Sequence, residues 1–261
     1  VSKTTNTKHH MVSHKVAVDW PARNVTAFTT TRELAGELSQ AGQYDNFNLG
    51  LHVGDSPVQV NANRATLAQY LPTNTNIQWL EQVHGSDVAI VEQYQAAPIT
   101  ADAAVTRSLN VALAVMTADC LPILIADKSG QVIAAIHGGW RPLAQNIIAK
   151  TVEAMNTPVE QLVAWLGPCI GPTAFEIGGE VKDAFVNLNP ATVDAFRVVP
   201  ESTQKYLANL HQIAKYLLSA SGIVEVASLP HCTFSMAQQY YSYRRESVTG
   251  RMASVICRNP C

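Results

Sequence analysis

Three β-like runs stand almost back to back between residues 111 and 137, and they constrain the fold more than any other stretch. Val111 to Thr117 is apolar at every position but the last. A strand that is apolar on both faces lies within a covered sheet or between two layers. Cys120 to Asp127 reads Cys-Leu-Pro-Ile-Leu-Ile-Ala-Asp, and Gln131 to His137 reads Gln-Val-Ile-Ala-Ala-Ile-His. Both are rich in apolar and β-branched residues, and Lys128-Ser129-Gly130 between them is a turn signal. Elsewhere strand and helix signals mix without strict alternation. That points to an α/β class of mixed, α+β character, with mixed sheets flanked by helices, rather than a purely parallel sheet.

The ends of these runs carry metal-capable side chains. Cys120 ends Thr117-Ala118-Asp119-Cys120, and His137 stands in Ala135-Ile136-His137-Gly138-Gly139-Trp140. A third such group is His84, in Gln82-Val83-His84-Gly85. Two imidazoles and a thiolate suit Zn²⁺, and three protein ligands leave the fourth tetrahedral position open to water or substrate. With Lys128-Ser129 as a two-residue hairpin loop, Cys120 pairs with His137, and directly opposed Cβ atoms lie about 4.5–5.5 Å apart. With the loop centred on Ser129-Gly130, Cys120 slips by one pair but stays close. Nothing in the spacing fixes His84.

Other side chains could serve such a centre. Asp102, in Thr100-Ala101-Asp102-Ala103-Ala104, and Asp119 can orient a ligand histidine or act as a general base. Pro142 sets a helix start just after His137, with Leu143, Ile147, Ile148, Val152 and Met155 at helical spacing. Its N-terminus, with Arg141 beside it, can hold a phosphate or carboxylate. Arg244 and Arg245, in Tyr240-Tyr241-Ser242-Tyr243-Arg244-Arg245, suit an anionic, aromatic or ribose-bearing substrate.

Asp55-Ser56-Pro57 reads as another helix start, followed by Val58, Ala62, Ala65, Leu67, Ala68 and Leu71 along roughly one face. Glu180 to Leu188 and Tyr206 to Ser221 read as helices, the second ending at Gly222. Strands are expected at Val25 to Thr31, Ile77 to Leu80, Val88 to Gln93, Val163 to Leu166, Ile223 to Ala227 and Ala253 to Arg258. Ala35 to Tyr44 reads as a loop.

The net charge of −2 and the lack of a basic stripe argue against a nucleic-acid partner. No apolar run is long enough to span a membrane. Five cysteines, an odd number without a Cys-x-x-Cys, suggest a reducing compartment, the cytoplasm. The polar start of the chain lacks a signal-peptide core. Residues 1–15 read as a flexible tail and 16–261 as a single domain.

Several segments together resemble the YfiH-like family. They include Asn46-Phe47-Asn48-Leu49-Gly50, His52-Val53-Gly54-Asp55, Asn63-Arg64 and Trp79-Leu80-Glu81-Gln82-Val83-His84-Gly85. Further matches are Ala101-Asp102-Ala103, Val115-Met116-Thr117-Ala118-Asp119-Cys120-Leu121-Pro122 and His137-Gly138-Gly139-Trp140-Arg141. The C-terminal half adds Trp165-Leu166-Gly167-Pro168, Gly171-Pro172, Phe175-Glu176, Tyr241-Ser242-Tyr243-Arg244-Arg245 and Gly250-Arg251-Met252-Ala253-Ser254. Family members are described variously as purine nucleoside phosphorylase, laccase-domain polyphenol oxidase and peptidoglycan editing factor.

The resemblance implies a single layered α/β/β/α domain related to bacterial toxin deamidases with a Cys–His site. It implies zinc on His84, Cys120 and His137, with Asp102 in a catalytic role. Asn48, Arg64, Gln82, Arg141, Arg244 and Arg245 would bind substrate. The implied partners are a purine nucleoside and phosphate, the implied state a monomer or weak homodimer. The implied reactions are phosphorolysis of adenosine, inosine and methylthioadenosine, and deamination of adenosine. One alternative is a copper-dependent polyphenol oxidase, which the histidines do not favour: there are eight, three of them near the N-terminus, and no His-x-His. Another is a Cys–His hydrolase editing peptidoglycan precursors. The chain departs from the family pattern at Gly138, Pro142 and Asn209, where Ala, Gly and Asp are usual.

Overall fold

The computed structural model describes residues 14–32, 42–200, 202 and 204–260. The strand Val111–Thr117 shows how the layers arise. Val111, Leu113 and Val115 face a core shared with Leu124, Ala126, Ile133, Ala135 and Trp165. Ala112, Ala114 and Met116 face the other way, onto Phe28, Leu67, Leu71 and Val255. The period-2 alternation of a strand thus feeds two separate apolar cores. The hairpin Leu121–Asp127 and Ile133–Gly138 divides in the same way. Leu121, Ile123, Ile125, Ala134 and Ile136 pack in a third core that includes Ile148, Val152, Phe185, Ile213 and Leu217.

Four layers result. The helix Pro57–Ala68 covers a five-stranded sheet, which lies on a six-stranded sheet, which is covered by the helices Ile147–Met155, Gly179–Leu188 and Leu210–Ala220. The first sheet runs Lys15–Ala17, Val25–Thr30, Met252–Arg258, Val111–Thr117, Asn76–Gln78, and only its last pair is parallel. The second runs Val226–Ser228, Leu162–Leu166, Leu121–Asp127, Ile133–Gly138, Ala103–Thr106, Val88–Ile90, with parallel pairs at its two edges. Both sheets are mixed. A small antiparallel sheet, Glu176–Gly178, Lys205–Ala208 and Phe196–Val198, and a two-stranded parallel pair, Leu80–Glu81 and Ile99–Thr100, complete the set. Among the described residues no helix is long and apolar enough to cross a membrane.

Several local expectations need correcting: the strand read from Ile223 to Ala227 runs Val226–Ser228, and the one read from Val88 to Gln93 stops at Ile90. The stretch from Tyr206 to Ser221 begins as the strand Lys205–Ala208, and its helix starts only at Leu210. Asn209 is the cap, its side-chain oxygen accepting the Gln212 N–H at 3.1 Å. Capping needs only an acceptor there, so Asn does the work of the usual Asp. The helix expected from Pro142 to Met155 is two pieces, Trp140–Ala144 and Ile147–Met155. Asn146 divides them at φ 63°, a left-handed conformation that Asn tolerates. On Pro57–Ala68 the buried face is Val60, Asn63 and Leu67, and Val58 is 80% exposed. A polar contact shifts this face, because Asn63 donates to the Asn48 carbonyl at 2.8 Å. The strand expected over Ile77 to Leu80 is two short ones on either side of Trp79.

The putting of residues 1–13 in a tail, and most of the loop Ala35 to Tyr44, lie outside the described residues. His14 stacks on Phe47 with ring centroids 4.7 Å apart, and Lys15 already pairs in the first sheet.

Candidate metal centre

The hairpin takes the second of the two registers read from the sequence. His137 pairs with Pro122 and Gly138 with Leu121, so Cys120 comes opposite Gly139. The difference is one pair, set by a turn that reaches from Asp127 to Val132, whose carbonyl accepts the Asp127 N–H at 3.1 Å. Glycine at 139 matters for the approach of the ligands. A Cβ there would lie 3.1 Å from His84 Cδ2 and 3.3 Å from Cys120 Sγ.

His84 arrives from a separate turn and has φ 57°. Asp102 holds that turn in place. Its fully buried carboxylate accepts the backbone N–H groups of Val83, His84 and Gly85 at 3.2, 3.0 and 2.7 Å. The same carboxylate lies 2.8 Å from His137 Nδ1. This contact aims Nε2 of His137 toward the other two ligands, the arrangement that orients metal-binding imidazoles. The His84 and His137 rings meet edge to face, 4.8 Å between centroids. His84 Nε2 is 3.9 Å from Cys120 Sγ.

One potential ligand atom from each of His84, Cys120 and His137 falls within 4.8 Å of the others. A tetrahedral zinc with bonds of about 2.0–2.3 Å needs its ligand atoms roughly 3.5 Å apart. The three side chains fit that group after a contraction of about 1 Å, within reach of small side-chain rotations. The donor set, imidazole and thiolate, is the one zinc prefers.

The electrostatics are those of a coupled pair. Burial raises the Cys120 thiol, but the charge and hydrogen bonds of His137 and His84 outweigh it and bring its pKa down to about 6. Burial lowers His137, but the Cys120 thiolate and the Asp102 carboxylate outweigh it and bring its pKa up to about 9. Asp102 is raised by burial, yet the hydrogen bonds from His137, Gly85 and Val83 leave it below the usual carboxylate range. Without metal, Cys120 and His137 therefore form a thiolate–imidazolium pair near neutral pH.

Asp119 does not join the cluster. It has φ 96°, and its carboxylate accepts from Thr233 Oγ1 at 2.6 Å, Ser242 Oγ at 3.0 Å and the Arg244 N–H at 2.7 Å. It ties the segment 233–244 to the residue before Cys120.

The residues expected to bind substrate fall into two groups. Gln82 lies two residues before His84 and exchanges hydrogen bonds with the Met116 backbone at 2.8 and 2.7 Å. Arg64 reaches the same Met116 through its sulfur at 3.8 Å and stacks 3.9 Å over Trp79. Asn48 is buried and bonded to Gly50 and Asp55. The other group is less free. Arg245 spends its guanidinium on the carbonyls of Thr233, Phe234 and Tyr240, at 2.8–2.9 Å. Arg244 donates to the Ala174 and Glu176 carbonyls at 3.1 and 3.3 Å. Arg141 is exposed and stacks on Trp140 at 4.5 Å, on a helix of only five residues.

Two residues near the centre escaped the sequence reading. Burial lowers the Arg251 guanidinium, and the Cys120 thiolate is the strongest charge opposing that shift. His52 is held low by burial and then by Arg251 and Arg64. Both stand in segments already singled out, Gly250-Arg251-Met252 and His52-Val53-Gly54, but no spacing rule connects them to Cys120.

Comparison with known proteins agrees along almost the whole chain. Residues 26–259 match the family described as Multi-copper polyphenol oxidoreductase laccase. A purine nucleoside phosphorylase of Pseudomonas aeruginosa is 44% identical over 91% of this chain and 96% of its own. Purine nucleoside phosphorylase YfiH of Escherichia coli is 40% identical over 94% of this chain and 99% of its own. Among crystal structures, a Neisseria meningitidis protein superposes with a TM-score of 0.88 at 38% identity, covering 95% of this chain and all of its own. YlmD of Geobacillus stearothermophilus superposes at 0.80 with 28% identity, covering 92% of this chain and 94% of its own. From its motifs, its layered sheets and these relatives, the chain belongs to the YfiH-like family, whose members share the laccase-type domain.

Proposed function

We propose that the chain is a zinc-dependent purine nucleoside enzyme, with the metal on His84, Cys120 and His137. The observation that carries this reading is the convergence of those three side chains in front of one buried carboxylate, Asp102. The names of the relatives favour purine nucleosides and phosphate as substrates. Bound there, zinc would supply a Lewis acid with one open coordination position.

The chain's own groups have definable tasks in this reading. Asp102 keeps the proton of His137 on Nδ1 and leaves Nε2 to the metal. Cys120 is supplied as thiolate at neutral pH. In phosphorolysis a phosphate oxygen bonds to ribose C1′ as the C1′–N9 bond breaks, and the purine leaves with the bonding pair and takes up a proton. Adenosine, inosine and methylthioadenosine are the substrates proposed for that reaction, and adenosine for deamination. A reducing, cytoplasmic setting belongs to the same reading and rests on the odd cysteine number without a Cys-x-x-Cys.

The deciding experiment is elemental analysis of untagged protein together with a nucleoside screen with and without phosphate. Zinc at about one per chain and ribose 1-phosphate formed only when phosphate is present support the reading. Full nucleoside turnover by zinc-free protein, or none by zinc-loaded protein, overturns it.

The thiolate–imidazolium pair favours one second reading, a Cys–His hydrolase with Cys120 as nucleophile and His137 as its base. Activity that survives metal removal but not loss of Cys120 would select it. Copper-dependent phenol oxidation has less support. Among the described residues a single His₂Cys cluster gathers, whereas four-electron reduction of dioxygen needs several copper sites.

A further inference from the structure

The side chains of Arg64 and Arg251 lie against the segment Asn48–His52 near the metal centre, and the segment ends in the imidazole of His52. Arg64 donates from Nε to the Leu49 carbonyl at 2.9 Å. Arg251 accepts the Leu49 N–H on its own carbonyl at 3.2 Å, and its N–H donates to Asn48 Oδ1 at 2.9 Å. Its side-chain stem lies against Gly50, where a Cβ would come within 2.9 Å of Arg251 Cγ. His52 is two residues further on, exposed, and feels the charge of both arginines.

These groups lie close to the metal ligands by construction of the sheet. Met252 pairs with Thr117, so Arg251 stands beside Ala118, two residues from Cys120. Arg64 contacts Met116, whose backbone is locked to Gln82, two residues from His84.

Both guanidiniums have donors to spare. Arg251 uses NH1 on the Thr249 and Gly250 carbonyls, at 2.9 and 3.0 Å, which leaves its Nε–NH2 edge without a hydrogen bond among the described residues. Arg64 uses Nε and NH2 and leaves NH1. No ion pair among the described residues includes either one. Half-buried guanidiniums without a carboxylate are costly in an empty site and favourable once an oxyanion arrives. An open Nε–NH2 fork matches two oxygens of a phosphate.

We propose that Arg251, Arg64 and His52 form the binding site for inorganic phosphate, the second substrate of the proposed phosphorolysis, and so rest this assignment on that reading. Arg251 supplies the bidentate fork, Arg64 a second guanidinium with a free NH1, and His52 an exposed imidazole. The helix start at Arg141 and the pair Arg244 and Arg245 then have other tasks, since the last two spend their guanidiniums on backbone carbonyls.

The test titrates purified full-length protein with inorganic phosphate alone, by calorimetry, and measures phosphorolysis kinetics on the same samples. Arg251→Gln and His52→Asn should each weaken phosphate binding and raise the KM for phosphate by about tenfold or more, while the KM for nucleoside stays within about twofold. Zinc content should match the wild type. Should Arg251→Gln fail to fold, the exposed His52→Asn carries the test. Phosphate affinity unchanged in the folded variants overturns the site. Phosphate binding that is lost in the variants of a protein that cleaves no nucleoside supports the site and overturns the phosphorolysis reading. Phosphorolysis with an unchanged phosphate KM in the variants does the reverse.

Discussion

Asp102 Oδ1 lies 2.8 Å from Nδ1 of His137 and accepts the backbone N–H of His84 at 3.0 Å, so one oxygen sets the position of both histidines. Its partner oxygen accepts the Val83 and Gly85 amides. Asp102→Asn puts an NH₂ group where one oxygen received amide donors, and leaves those amides unpaired. The change should weaken zinc binding by about 10–100-fold and cost about 1–3 kcal/mol of stability. A competition titration with a chelating dye and a denaturant melt read the two effects. Wild-type zinc affinity in the variant would show that the carboxylate does not organise the site.

Zinc affinity should depend on pH with a sign fixed by the Cys120–His137 pair. Between the lowered thiol pKa of about 6 and the raised imidazole pKa of about 9, the metal-free pair is thiolate and imidazolium. Metal binding must expel the proton from His137 Nε2, so affinity should rise about tenfold per pH unit across that window and more steeply below it. Above the upper value the proton is already gone and the dependence flattens. Titrations in several buffers also give the proton release directly. A flat profile at neutral pH contradicts the pairing.

Cys120→Ala should leave a folded, zinc-free protein without nucleoside turnover. The side chain is small and stands at a strand end beside Gly139, so its loss costs only about 1 kcal/mol. Removing a Lewis acid lowers a rate by orders of magnitude. Metal content, circular dichroism and turnover are measured on one preparation, next to metal-stripped wild type. A folded, zinc-free and fully active variant would exclude the assignment.

Gly139→Ala tests how closely the ligands pack. The new methyl would stand 3.1 Å from His84 Cδ2 and 3.3 Å from Cys120 Sγ, closer than comfortable carbon contacts. Two metal ligands must shift by a few tenths of an ångström, and zinc affinity should fall by about tenfold while the melting temperature changes little. An unchanged affinity would mean that the His84 turn yields freely.

Sequence patterning carried much of this architecture. Val111 to Thr117 announced a strand covered on both faces, and it is the strand that feeds two cores. Cys120 and His137 were brought together by strand spacing alone, although a longer turn moved the register by one pair. His84 could not be placed from its neighbours. It depends on a carboxylate 18 residues away that gathers three amides, and sequence periodicity contains no record of such a bond. Arg251 was hidden for the same reason, because its approach to Cys120 depends on strand pairing between distant segments. Arg245 misled in the other direction. A basic pair beside tyrosines suggests a ligand, but here the side chain is a clamp on three carbonyls. The strand Lys205–Ala208 reads in sequence as the first turn of a helix because apolar residues continue through the boundary, and only the capping Asn209 marks it.

Asp119 has a consequence for the order in which the molecule is made. Its carboxylate is held by Thr233, Ser242 and the Arg244 amide, which follow it by 114, 123 and 125 residues. The left-handed backbone that presents Cys120 is therefore braced by a segment that leaves the ribosome more than a hundred residues after it. A nascent chain that stops short of residue 233 can build the hairpin but lacks the brace for its thiol. Any metal capture that needs the braced thiol then waits until residues 233–244 have been made and folded back.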